Sequence, residues 1–107
     1  MTALTHQVFF RLKHDRGSAA EREFLRRSAV LLAGIPGVQD FQVLEQVSPK
    51  SDFTHGFSMR FADAEAYAAY NGHPVHVTYV TDIWLAEVAA FQELDSVRAD
   101  GPSGPST

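Results

Sequence analysis

The chain has 107 residues, 45% of them hydrophobic and 21% charged, with nine Lys and Arg against 13 Asp and Glu and a formal charge of −4. This is the balance of one soluble globular domain; the negative sign disfavours a phosphate backbone as main partner, so no nucleic acid is expected. The absence of cysteine removes disulfides, thiolate nucleophiles, zinc fingers and iron–sulfur clusters, and no apolar run nears the ~20 residues of a membrane span.

The N-terminus lacks a basic region followed by an apolar stretch, so a cytoplasmic protein with no membrane partner is expected. From His6 to His14 the sequence alternates, with His6, Val8, Phe10 and Leu12 on one side and Gln7, Phe9, Arg11 and Lys13 on the other, the period of a strand. Ser18-Ala-Ala-Glu21 reads as a capping box, and Phe24, Ser28, Leu31, Leu32 and Ile35 follow at three- and four-residue steps, predicting an amphipathic helix over 19–33. A second strand spans 38–47, with Phe41, Val43 and Val47 in alternation, and a third spans 53–62, with His55, Phe57, Met59 and Phe61 sharing one face. Asp63 caps a short helix over 64–70, and Pro74 opens another that reaches about Leu85 and places His76, Val80, Ile83 and Trp84 on one stripe. Residues 88–94 give a fourth strand. The Gly- and Pro-rich segment 98–107 predicts a disordered tail behind a single domain of residues 1–97.

The order β-α-β-β-α-β predicts an α+β fold of the ferredoxin-like type, an antiparallel four-stranded sheet with helices on one face. A sheet face left bare, bearing Phe9 and Phe41, and a core that buries only roughly two-thirds of the unfolded surface at this length both predict a homodimer.

With no cysteine, the five histidines are the obvious groups for proton transfer at neutral pH. His6 and His55 have the inward strand phase of their apolar neighbours, and His76 has that of Val80. Any one of them reads most simply as a buried histidine satisfied by a hydrogen bond, but three from separate segments point to a polar site inside an apolar pocket. The expected pocket lies between sheet and helices, walled by Val8, Phe10, Phe24, Phe57, Met59, Val80 and Trp84 and polar at His6, His55, Tyr70 and His76. His76 falls in a first helical turn, where the dipole disfavours imidazolium and keeps a neutral base available. Tyr70 either donates to a substrate carbonyl over the same pocket or simply closes the short helix. His73 and His76 have the spacing of a metal pair, yet no inward carboxylate completes a set, so no metal is expected. The cations among Arg11, Lys13, Arg16, Arg22, Arg26 and Arg27 are interleaved with acids and read as a solvated face.

Ile35-Pro-Gly-Val38, Phe53-Thr-His-Gly-Phe57, Arg60-Phe-Ala-Asp63 and Tyr70-Asn-Gly-His-Pro-Val-His-Val77 resemble the stress-responsive dimeric α/β-barrel (Dabb) family over residues 4–97. The Tyr-x-x-His-Pro-x-His element is the most specific part. The resemblance implies that two ferredoxin-like protomers pair their sheets into a dimeric α/β barrel. The chain is similar at each polar position to polyketide cyclases of the olivetolic acid type within this family. That similarity implies His76 as general base, Tyr70 as the hydroxyl that orients a carbonyl, His6 as an assisting group and His55 as a pocket residue. Ser28 stands where those cyclases carry a tyrosine on the first helix, which leaves the acyl tail of the substrate open. The leading expectation is a cofactor-free polyketide cyclase or related lyase, closing a poly-β-carbonyl substrate by an aldol-type step. The alternative is a non-catalytic Dabb protein that binds a small apolar ligand or serves a stress response, with structural histidines. Haem-degrading monooxygenases share the barrel shape without the Tyr-x-x-His-Pro-x-His element.

Overall fold

The computed structural model describes residues 2–100. Strand β1 (Leu4–Leu12) leads to helix α1 (Ala19–Ala33), strands β2 (Gln39–Glu45) and β3 (His55–Phe61), helices α2 (Ala64–Gly72) and α3 (Pro74–Tyr79), a π-helical turn (Val80–Trp84), the single turn α4 (Leu85–Glu87), and β4 (Val88–Ser96). The sheet runs β2-β3-β1-β4 with every neighbour antiparallel. The ferredoxin-like arrangement is therefore as expected from the alternation. The proposed tail falls mostly on residues 101–107, outside the described residues; Arg98 and Asp100 form an ion pair just before them.

Local chemistry sets the element ends. The Ser18 hydroxyl accepts from the Glu21 amide (3.2 Å), while the Glu21 carboxylate accepts from the Gly17 amide (3.1 Å) rather than from Ser18 itself, so the reciprocal half of the box reaches one residue further back. Asp63 accepts from the Ala66 amide at 2.9 Å. His73 accepts on Nδ1 from the Val75 amide at 3.1 Å, and Pro74, with no amide to satisfy, starts α3.

The inward row of β1 (His6, Val8, Phe10, Leu12) and that of β3 (His55, Phe57, Met59, Phe61) are buried beneath the helices, with Phe24, Leu32, Tyr70, Tyr79 and Trp84 supplied from above. Phe10 packs edge-on against Phe24 and Trp84, at centroid separations of 5.7 and 5.1 Å. At one end, Glu87 accepts from Arg27 and lies 2.7 Å from His14 Nε2, joining α4, α1 and the segment after β1.

One expectation about faces is corrected and a second is narrowed. Phe41 shares the parity of Val43, which pairs with the inward Phe57, and its ring lies 5.5 Å from that of Phe57, so it is on the helix side and does not belong to the bare face; the bulge at Asp40 (φ 51°), where the β2–β3 register slips between Gln39 and Gln42, turns Gln39 instead to the face of Arg60. The bare face instead presents the rows Leu44–Gly56–Phe9–Gln92 and Gln42–Ser58–Gln7–Leu94. Gly56 is required there, because a Cβ would sit 2.6 Å from the Phe9 ring that lies across it. Ile83 stays half-buried against the core but at the outer margin of its expected stripe. The wider π turn lets Tyr79 and Trp84, five residues apart, both point inward (centroids 6.3 Å apart), and Ile83 turns to an outer groove with Leu31 and Val75.

Candidate active site

A cavity of ≈ 280 Å³ lies between sheet and helices, lined by His6, Val8, Met59 and Phe57 from the sheet and by Tyr70, His76, Tyr79, Val80 and Trp84 from the helical side. Leu32, Leu85, Phe91 and Glu93 complete it. A larger depression of ≈ 410 Å³ at the ends of β1 and β4 contains no imidazole and is lined by Thr5, Arg60 and Val97 among others. The smaller cavity is the one with convergent proton-transfer groups in an apolar wall, and it is the candidate site.

His6 enters from β1 directly opposite Asp95 of β4. Its Nδ1 lies 2.5 Å from Asp95 Oδ1, and the Tyr67 hydroxyl donates to Asp95 Oδ2 at 2.9 Å while standing 3.1 Å from the same imidazole nitrogen. With the Nδ1 proton given to the carboxylate, His6 keeps Nε2 as an acceptor. Burial, with the Asp95 charge added, pushes the Tyr67 phenol up to about 12, so it stays a neutral donor at physiological pH.

His76 is fixed by a different partner. Its Nδ1 donates to the Asn71 backbone carbonyl at 3.1 Å, across the break between α2 and α3, and again Nε2 is left as the acceptor. Desolvation by burial lowers its pKa, with the proximity of His6 acting in the same direction and the Asn71 carbonyl and Glu93 opposing it. The neutral base expected from the helix dipole is thus favoured first by burial. Tyr70 stands beside both imidazoles, its ring 4.5 Å from that of His76 and 6.2 Å from that of His6. It is 2% exposed, and no hydrogen bond among the described residues engages its hydroxyl. Burial raises its pKa, which keeps the phenol protonated as a donor.

Of the expected site residues, His6, Tyr70, His76, Val8, Phe57, Met59, Val80 and Trp84 meet at this cavity. His55, Phe10, Phe24 and Ser28 do not line it. His55 pairs with Phe10 while His6 pairs with Met59, so it sits four residues along β3, about 13 Å away at ~3.3 Å per residue. There its Nδ1 meets the Thr54 hydroxyl at 3.0 Å, and burial lowers its pKa. Phe10 and Phe24 are packed solidly within the core at the same end. Ser28 is covered by Tyr79, whose hydroxyl donates to it at 2.7 Å, so Tyr79 forms the wall that the small serine would otherwise leave open. Sequence reasoning missed Tyr79, Tyr67, Glu93 and Asp95.

Among the described residues no group of three His, Asp or Glu side chains is arranged to hold a metal ion, and no helix is long and apolar enough to cross a membrane.

Known proteins share this architecture. A dabb family protein with a ferredoxin-like fold from Mesorhizobium loti is 46% identical, superposes with a TM-score of 0.90, and is matched over 92% of this chain and 98% of its own. A hydroxynitrile lyase from Passiflora edulis, at 15% identity and a TM-score of 0.78 over 94% of this chain and 96% of its own, shares the fold alone. A stress-response A/B barrel domain-containing protein of Arabidopsis thaliana is 31% identical over 78 residues, 69% of this chain and 68% of the relative. The sequence model of the Stress responsive A/B Barrel Domain matches residues 4–98, and the chain belongs to that family, Dabb.

Proposed function

We propose that the chain is a homodimeric, cofactor-independent polyketide cyclase or related lyase. The observation that carries this reading is the convergence of His6, Tyr70 and His76, from β1, α2 and α3, on one apolar cavity in which both imidazoles have Nδ1 engaged. His76 Nε2 takes the proton from a carbon flanked by carbonyls, and the resulting enolate carbon attacks a second carbonyl of the same molecule. The new C–C bond leaves an alkoxide, which Tyr70 stabilises by hydrogen bonding and which recovers a proton from the imidazolium; loss of water completes the ring. His6, held by Asp95, serves as the second proton carrier. The cavity, at ≈ 280 Å³, lies just below the roughly 300–1,000 Å³ typical of ligand sites, and the Tyr79 wall favours a substrate with a short tail.

Dimerisation is part of the same proposal. Phe9, Leu44 and the 51% exposed Leu94 sit on the sheet face opposite the helices, where a second copy would cover them. The test is product analysis of a linear tetraketide-type thioester incubated with the purified protein and with His76→Ala. A cyclised product that depends on His76 supports the reading. Identical product profiles with and without protein would leave the chain a binder of small apolar ligands.

A further inference from the structure

We propose that Glu93 makes this cavity select against carboxylates, so that its substrate arrives as an uncharged ester, thioester or lactone. The proposal rests on the cyclase reading for the kind of carbonyl compound and on the cavity itself for the charge preference. Glu93 lies opposite Val8 in the β1–β4 ladder, on the helix-side row that also holds Phe91 and Asp95. It lines the cavity from an exposed position at the open side, and among the described residues no Arg or Lys does. Among the described residues it makes no salt bridge, so its charge is not neutralised by a neighbour. The only other carboxylate in that row near the site, Asp95, is already committed to His6 and Tyr67.

A free acid entering here would lose water against the buried apolar wall formed by Val8, Met59 and Trp84 while facing a second carboxylate and finding no Lys or Arg in return. An ester or thioester pays neither cost. Glu93 also bears on the direction of chemistry: its charge acts to raise the His76 pKa against the lowering by burial, giving the base more proton affinity when the carbon acid is bound. The reaction that supplies this site must then be an acyl-chain assembly that leaves its product esterified or lactonised, and any hydrolysis to an acid follows ring closure. Release of an acid product would be assisted by the same repulsion.

The test is direct binding, independent of turnover. Methyl 2,4-dihydroxy-6-methylbenzoate and the corresponding free benzoate, a neutral and an anionic version of one cyclised ring, are titrated at pH 7.5 into wild type, Glu93→Gln and Glu93→Lys and followed by calorimetry. The ester is expected to bind wild type about tenfold or more tightly than the acid. Glu93→Gln should cut that ratio by about threefold or more, and Glu93→Lys should bring the acid level with the ester or ahead of it. Because an apolar wall by itself favours the ester, the change in ratio on Glu93→Gln decides: an unchanged ratio, or a wild-type ratio near one, overturns the proposal and leaves the cyclase reading standing. Failure of both probes to bind wild type overturns the proposal, while the cyclase reading is decided separately by the product analysis with His76→Ala.

Discussion

The phenol of Tyr79 donates a 2.7 Å hydrogen bond to the hydroxyl of Ser28, joining α3 to α1 inside the core, where the two residues are 3% and 0% exposed. Breaking it from either side strands a buried polar group. Ser28→Ala and Tyr79→Phe should each cost about 1–3 kcal/mol of unfolding free energy, and the double variant should cost less than the sum of the two. Urea denaturation of the four proteins measures this coupling; strict additivity would mean the two hydroxyls do not support one another.

The three polar residues at the Tyr-x-x-His-Pro-x-His element should separate by role. His76→Ala should reduce cyclase turnover by roughly 10²–10⁴-fold with the fold intact. Tyr70→Phe should be milder, since it removes a donor and leaves the base. His73 lies outside the cavity and caps α3 through the Val75 amide, so His73→Ala should cost about 0.5–2 kcal/mol of stability with activity largely kept. Rates and melting temperatures measured side by side distinguish these outcomes.

Asp95→Asn keeps the size of the side chain and removes the charge that orients His6. We expect kcat to fall by about tenfold or more, with KM and the melting temperature changing little. A loss confined to KM would place Asp95 in binding rather than in positioning the imidazole.

Acid should weaken both stability and activity. His55 and His76 have folded-state pKa values lowered by burial from the usual 6.5, so below that value the unfolded chain binds more protons than the native one. The sign follows from linkage: the stability contributed by keeping these rings neutral is complete above about 6.5 and is lost as pH falls through the folded values. The urea midpoint should therefore drop on going from pH 7.5 to pH 5, and His55→Gln should flatten part of that slope without moving the acid limb of the rate profile, which belongs to His76.

Light scattering at micromolar concentration should give twice 11.8 kDa. Leu94→Arg, on the face opposite the helices, should shift the protein toward a monomer. A wild-type monomer would remove the barrel from the proposed function.

The fold was legible because its rows are clean. His6, Val8, Phe10 and Leu12 alternate without exception, and the caps at Ser18, Asp63 and His73–Pro74 stand where the chain turns. The inward phase of His6 and His76 located half of the site correctly. His55 shared that phase but not the position along the strand: parity assigns a face, and distance along β3 needs the register, which only the paired sheet supplies. Asp95 escaped because the fourth strand was ended at Leu94, although its parity with Phe91 and Glu93 and its place opposite His6 follow once β4 is extended to Ser96. Inward-phase acids at the edge of a sheet read in sequence like any solvated charge.

The π turn at Val80–Trp84 makes the wall of the cavity a matter of residue count as well as residue type. One residue more than a regular α-helical turn separates Tyr79 from Trp84, and the wider π winding absorbs it so that both rings face the cavity. Deleting a single residue from 80–84 would restore the ordinary winding with the two rings four residues apart on one face and the downstream chain in phase, whereas forcing all five residues into regular winding at about 100° each would carry Trp84 off the cavity while leaving His76 and Tyr70 in place. Residue count and winding must therefore change together here: a shorter turn keeps this wall only by becoming α-helical, and the present length keeps it only by staying π-helical.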